Sequence, residues 1–433
     1  MNHNCSNINM AFQIDNKESS ITIEEQKSIM ESYVNKIPEN IKKILILPPD
    51  YTRKHSGAGR LTAFLYELLK DRYQIAIMPA LGTHSPMTKD EIKDMFGKQI
   101  PLELFKVHDF KNDTVKLGEI PEEFVAGVSE GTVNRSIDVY INKKIVAGDY
   151  DLVISIGQVL PHAVVGMANY NKNIFVGCGG SQIIDISHYV GAAYGMERLL
   201  GKDHSPVRKL FDYADENMLT NINIQYILTV NSTGINPETG STNMLGLFIG
   251  KTREVFEKAV KLSQEYNIMY LDKPLKKIVV YMDKEEFKST WLCCKAIYRT
   301  RLAIADDGQL IVIAPGLKSF GEFEDMDKLI RKYGYKGKKK IIQYVEENED
   351  LRNNLAGAAH LIHGSTEGRF TVYFVTDRLS KEELENVNFK HMSVEKALGK
   401  YPIDEFKYGY NQLPDGEEIF FIDNPATGLW SIK

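Results

Sequence analysis

The sequence predicts an α/β protein of two α/β lobes with a cleft between them, the first lobe built on a mostly parallel sheet. Three observations predict it. Short apolar runs alternate with helical patterns along the chain, as strands joined by crossover helices do. The alternation restarts near residue 275, after a break at 269–274. The 433 residues suffice for more than one core. We therefore place an N-terminal domain at 1–270 and a C-terminal domain at 275–433. The second closes a cleft of the kind that holds small molecules.

The elements follow in order. Residues 42–48 (Lys-Lys-Ile-Leu-Ile-Leu-Pro) read as a buried strand ended by Pro48-Pro49-Asp50. Asp50-Tyr51-Thr52-Arg53 comes next, and a glycine-bearing turn leads into a helix with Leu61, Phe64, Leu65, Leu68 and Leu69 on its apolar face. That turn reads equally as an anion site or a plain strand-to-helix turn. It is neither a P-loop nor a full GxGxxG. A second strand spans 73–79, followed by Gly82-Thr83-His84. Thr88 and Glu91 form a capping box that opens a helix. A third strand is expected at 104–108 and another at 152–156. Ser181 is placed as the cap of a helix carrying Ile183, Ile184, Ile186 and His188. Ser205-Pro206 opens a further helix. Strands at 223–230 and 244–249 and a helix at 252–266 complete the first lobe.

The second lobe opens with a strand at Lys276. A helix with Trp291, Lys295 and Tyr298 follows, then a strand at 309–314 and a glycine-rich loop at 316–322. Helices at 325–333 and 339–348 and strands at 370–376 and 418–423 are expected after it.

Composition excludes several classes. The net charge of −5 gives no nucleic-acid footprint. Cys5, Cys178, Cys293 and Cys294 form neither a disulfide framework nor a CxxC zinc pattern, which suits a reduced, cytoplasmic protein. Residues 1–18 lack an apolar signal core, and no run approaches a membrane span.

The polar residues fall after strands. Asp50 and Arg53 follow the first, His84 the second, and His162 the strand at 152–156. In a parallel sheet these loops leave one edge, where ligands bind. Taken singly, Asp50 with Arg53 reads as a surface ion pair and His84 as a loop histidine.

The stretch 158–188 is richest in chemistry. It holds Pro161-His162, then Lys172 ten residues on, then Gly177-Cys178-Gly179-Gly180, then His188 sixteen residues beyond the lysine. With Asp50-Tyr51-Thr52-Arg53 and Gly82-Thr83-His84, these intervals resemble the catalytic subunit of the lactate racemase family, the nickel-pincer 2-hydroxyacid racemases and epimerases. The resemblance covers most of the first lobe and, more loosely, the second. It implies a pyridinium-3,5-bisthiocarboxylic acid mononucleotide carrying nickel, bonded covalently to Lys172, with His188 as a nickel ligand. It implies His84 and His162 as acid–base residues. Asp50, Arg53 and Lys295 are implied at the substrate, and accessory proteins that make the cofactor are implied as partners. The residue chemistry agrees: imidazole suits Ni(II), an amine suits a covalent link, and arginine suits a carboxylate.

The chain departs from the family pattern in the second lobe. Leu292 stands where the lactate-specific sequence has a glutamine, and the family's later tryptophan has no counterpart beside Trp291 and Trp430. His360, His363 and Arg369 lie around its place. The substrate is therefore expected to be lactate-like or, given that polarity, a sugar acid (aldonate). His360 and His363 read equally as surface residues. Two other readings compete: a cofactor-free, proton-abstracting racemase or lyase on the same fold, and a non-catalytic two-lobed binding protein. The last leaves the His–Lys–His spacing unexplained.

Overall fold

The computed structural model describes residues 8–13, 19–236, 241–425 and 428–433. Cys5 lies outside them, as does most of the N-terminal stretch read for a signal core. The chain divides into two compact units, Met1–Ser187 with Gly201–Asn267, and His188–Leu200 with Ile268–Lys433. The segment His188–Leu200, placed in the first domain from the sequence, groups with the second unit. Among the described residues no helix is long and apolar enough to cross a membrane.

The strands of the first unit are β1 (Met10–Gln13), β2 (Lys43–Leu47), β3 (Gln74–Ile77), β4 (Thr114–Ile120), β5 (Ile137–Asn142), β6 (Leu152–Gln158), the short β7 (Pro161–His162) and β8 (Gly166–Met167), β9 (Ile224–Asn236) and β10 (Ser241–Gly250). Six of them make one sheet in the order β1-β10-β9-β6-β2-β3. β3, β2, β6 and β9 run parallel, and β10 and β1 extend the sheet antiparallel. β6 is buried along its whole length, which is why it reads as a continuous apolar run rather than an alternating one. Each buried aliphatic side chain there contributes about 1.5–3 kcal/mol. Leu47 pairs with Ser155 and Ile46 with Ile77, so β2 and β3 end within a residue of each other, and β6 runs three residues further to Gln158.

Two caps form as read, whereas Ser181 is the first residue of its helix, Ser181–Tyr194, and Gly180 precedes it at the cap position. Thr88 and Glu91 make the capping box of the helix Lys89–Phe96. Ser205 caps Pro206–Met218, with proline in its first turn. The third strand expected at 104–108 does not form. Residues Leu102–Leu104 are a 3₁₀ turn, and Phe105 makes a single bridge to Ile77. Pro101 begins the turn, and apolar content alone does not distinguish a strand from an edge-hugging loop.

The second unit holds β11 (Ile268–Leu271), β12 (Leu275–Tyr281), β13 (Ile304–Ile313), β14 (Thr371–Val375), β15 (Lys390–Met392), β16 (Gly409–Gln412), β17 (Glu418–Ile422) and β18 (Leu429–Ile432). Its sheet runs β15-β14-β13-β12-β17-β16, parallel except for the last strand. β11 and β18 form a separate parallel pair. The helix expected around Trp291 and Lys295 is two short pieces, Thr290–Cys293 and Lys295–Thr300. They meet at Cys294, whose N–H turns back to Leu292 and Thr290. Cys178, Cys293 and Cys294 are buried free thiols.

Candidate active site

The loops after β2, β3 and β6 are tied to one another by backbone. Pro49 bridges Ala80, and Gly82 N–H donates to Gly177 O at 2.9 Å. Asn173 Nδ2 donates to Leu47 O at 3.2 Å and to Ser155 Oγ at 2.9 Å, fastening the loop after β6 to the end of β2 and the middle of β6.

Asp50 is only 5% exposed and caps the 3₁₀ helix Tyr51–Ser56. Its Oδ1 accepts from the Thr52 hydroxyl at 2.5 Å and from Thr52 N–H at 3.2 Å, and its Oδ2 meets His84 Nδ1. Burial works to raise its pKa. The His84 hydrogen bond and charge, Thr52 and Arg53 outweigh that and hold the carboxyl below its ordinary value. His84 itself is exposed. With Nδ1 on the carboxylate, its Nε2 faces away from Asp50. Arg53 is exposed, and its Nη1 donates to Thr52 Oγ1 at 3.0 Å.

His162 is half-buried in the β7–β8 hairpin. Its Nδ1 accepts from Val164 N–H at 3.1 Å, which places the proton of the neutral ring on Nε2. The chain then turns sharply. Asn169 and Tyr170 hold φ of +64° and +59°, a conformation costing about 1–3 kcal/mol for such residues. Gly157 makes room for it, since a Cβ there would lie 1.7 Å from Asn169 Nδ2. Tyr170 is clamped by its hydroxyl on Lys251 O at 3.0 Å and by stacking on Phe256.

Lys172 follows, in the short helix Asn171–Phe175. The residue keeps some exposed surface, but its amine lies deep. Burial, then the charges of Arg53 and Arg208, push its pKa down to about 7, against a small opposing pull from Asp50. Near neutrality much of it is therefore free amine, the nucleophilic form.

Arg208 and Asn171 were missed in the sequence. Arg208 is fully buried, donates to the carbonyls of Met167 and Asn169, and bonds Asn171 Oδ1. The available signal was an arginine on the same helix face as Val207, Phe211 and Leu210, which are all buried.

His188 and Lys295 belong to the second unit. His188 is half-buried on the helix Ser181–Tyr194, and its charge bears on His363. Lys295 opens its short helix with the ammonium 5.2 Å over the Phe287 ring. His360 and His363 are buried, not surface residues. His360 Nε2 bonds the Tyr335 hydroxyl at 2.8 Å and its ring stacks on Trp291, and burial pushes its pKa down to about 3.

One group of three potential metal ligands occurs among the described residues: Asp203, His204 and Glu257. Arg253 lies among them, 3.3 Å from each of the Asp203 and Glu257 carboxylates and from His204 Nδ1. A guanidinium there already neutralises the acids, so the group reads as an ion-pair network. None of the predicted site residues belongs to it.

Residues 3–197 match the lactate racemase N-terminal domain family. Over that span, less than half of the chain, the sequence is similar to the lactate racemase N-terminal domain. A lactate racemase of Thermoanaerobacterium thermosaccharolyticum is 27% identical over 200 residues. That match covers 45% of this chain and 42% of the relative, less than half of either. A crystal structure of a Thermotoga maritima protein superposes with a TM-score of 0.81 at 24% identity, covering 98% of this chain and all of the other. The apoprotein structure of the T. thermosaccharolyticum lactate racemase superposes with a TM-score of 0.70 at 17% identity over the same shares. At these identities the two structures establish the shared fold.

Proposed function

We propose that this chain is an isomerase, a racemase or epimerase that inverts C2 of a 2-hydroxy carboxylate with a nickel-pincer nucleotide. The observation that carries the reading is Lys172: a deeply placed amine with its pKa near neutrality, on a loop fastened to the end of β2, which leads to Asp50, and through Gly177 to Gly82 in the loop that bears His84. The donor chemistry fits the cofactor. A neutral amine is what a covalent attachment needs, so Lys172 would hold the nucleotide. The His188 imidazole suits Ni(II) and would be the protein's ligand to it. When bound, the nucleotide supplies a hydride acceptor.

The chain's own residues handle the protons. His84 keeps its Nδ1 on Asp50, which leaves the Nε2 lone pair to take the substrate hydroxyl proton. His162, with Nδ1 accepting from Val164, carries its ring proton on Nε2 and can hydrogen-bond the substrate oxygen through it; it would donate a proton only from the doubly protonated ring. Asp50 acts by orienting His84. Arg53, exposed on its turn, offers a two-point clamp to the substrate carboxylate, and Lys295 is the proposed second cation for the substrate. The substrate is lactate-like or a sugar acid, and accessory proteins would supply the nucleotide.

Loss of C2 hydrogen as a proton is hard for an ordinary 2-hydroxy carboxylate, because the carboxylate anion barely stabilises an adjacent carbanion. Substrate deuterated at C2 should therefore invert with its label retained, and reaction in heavy water should add little deuterium. Solvent exchange at C2 matching the inversion rate would replace this reading with the cofactor-free, proton-abstracting one. The test is best run on lactate and on aldonates in parallel.

A further inference from the structure

Arg208 is a fully buried arginine on the helix Pro206–Met218. A buried guanidinium is costly unless its hydrogens and charge are used. Its two Nη groups are spent on one loop, while its buried Nε has no hydrogen-bond partner among the described residues. Nη2 donates to Met167 O at 2.7 Å and to Asn169 O at 3.1 Å, and Nη1 donates to Asn171 Oδ1. Asn171 donates in turn to Asp212 Oδ1 at 2.7 Å, one turn along the helix of Arg208. The Phe256 ring lies 4.5 Å from the guanidinium carbon. These contacts gather the chain from Met167 to Asn171, including the two left-handed residues, and the next residue is Lys172.

We propose that Arg208 is the positioning residue for Lys172, holding the loop 167–171 in the shape that presents the lysine amine. The inference rests on the reading of Lys172 as the attachment point. Three acceptors met by one planar group explain why the residue is arginine, since a lysine ammonium is a flexible point charge. The charge has a second use. The charged groups bearing on the Lys172 amine are Arg53 and Asp50 from the loop after β2, and Arg208 from its helix. After burial, the two arginines favour the free amine, so Arg208 both places the group and keeps it reactive.

The test uses apo protein, free of cofactor. Lysines are labelled with acetic anhydride from about pH 6 to 11, Lys172 is read by peptide mass mapping, and circular dichroism establishes that each variant is folded. Arg208→Gln should move the Lys172 midpoint up by about one unit, tenfold less amine at a fixed lower pH. Arg208→Lys keeps the charge and loses the fork. Its midpoint should stay near that of the wild type while the limiting labelling rate of Lys172 changes several-fold relative to other lysines. If folded Arg208→Lys labels at the wild-type rate, or folded Arg208→Gln keeps the wild-type midpoint, the inference is overturned. Should Arg208→Gln not fold, the Arg208→Lys rate decides. Matured wild-type protein without an adduct on Lys172 would end the attachment reading and leave the labelling result standing. An adduct forming as fast in Arg208→Lys as in wild type would end the positioning role and leave the attachment intact.

Discussion

Lys172 is a lysine whose protein surroundings favour its neutral form, and this has a consequence for stability. Folded, it gives up its proton near pH 7; unfolded, near 10.5. Between those values the unfolded chain binds more protons, so the apo protein gains stability from this group as pH rises. Lys172→Met removes the cost of the buried charge. It should stabilise the apo protein by about 1–3 kcal/mol below pH 7, with the gain fading toward pH 10.5. Thermal melts of both proteins across that range check it, and a pH-independent difference would show that the amine is not held near neutrality. At this scale the sequence was legible where the signal is local. The intervals linking His162, Lys172 and His188 lie within one stretch of chain. Arg208 acts across 36 residues of sequence on Lys172, and no spacing rule reaches it. Asp50 was placed at the substrate from the family resemblance; that its two oxygens are engaged by Thr52 and His84 is a contact no spacing announces. His360 could not be told from a surface residue until its Tyr335 and Trp291 partners were placed.

At the scale of elements, the site depends on loops that approach one another too closely for side chains. A Cβ on Gly179 would lie 1.8 Å from Phe175 O, in the helix that carries Lys172. That backbone atom cannot yield without moving the helix. Gly179→Ala should cost about 2–4 kcal/mol. Gly127, within Glu122–Val128, has nothing within 4 Å of such a Cβ. Gly127→Ala should stabilise by up to about 1 kcal/mol. Urea denaturation of the pair is the check: equal effects would mean that the close approach at Gly179 is relieved at no cost. Helix starts were legible, because a cap is written in four consecutive residues. The strand expected at 104–108 and the unbroken helix through Lys295 were not, because both depend on partners distant in sequence. The left-handed turn at Asn169 and Tyr170 has no glycine to announce it.

At the scale of the whole molecule, the α/β class and the mostly parallel sheet of the first lobe followed from the alternation of apolar runs, while the count of six strands in each large sheet did not. The interrupted course of the second unit did not, since nothing in the composition of His188–Leu200 separates it from its neighbours. What binds it there is tertiary. Arg301, 2% exposed, pairs with Glu197 at 2.6 Å and also meets Met196 and His363 O. Glu197 is partly exposed, so the pair is worth less than a fully buried one. Glu197→Gln in the full chain should cost about 1–3 kcal/mol. A fragment beginning at Ile268 should lose its cooperative melt and regain part of it when a peptide of residues 188–200 is added. A fragment that melts like the full chain by circular dichroism, with no response to the peptide, would show that the segment is dispensable.

That interrupted course also sets an order of events at the ribosome. Residues 188–200 emerge before the 67 residues 201–267, and only then does the rest of their unit begin. At about 5–20 residues per second, Glu197 waits several seconds for any part of its unit to appear, and longer for Arg301. During that interval the apolar side of the segment, with Tyr189, Val190 and Leu199, has no native cover from its own unit. Slowing translation across 201–267 should therefore lower the soluble yield of newly made chain, read as the soluble fraction after in vitro translation; an unchanged fraction would show that the wait is harmless.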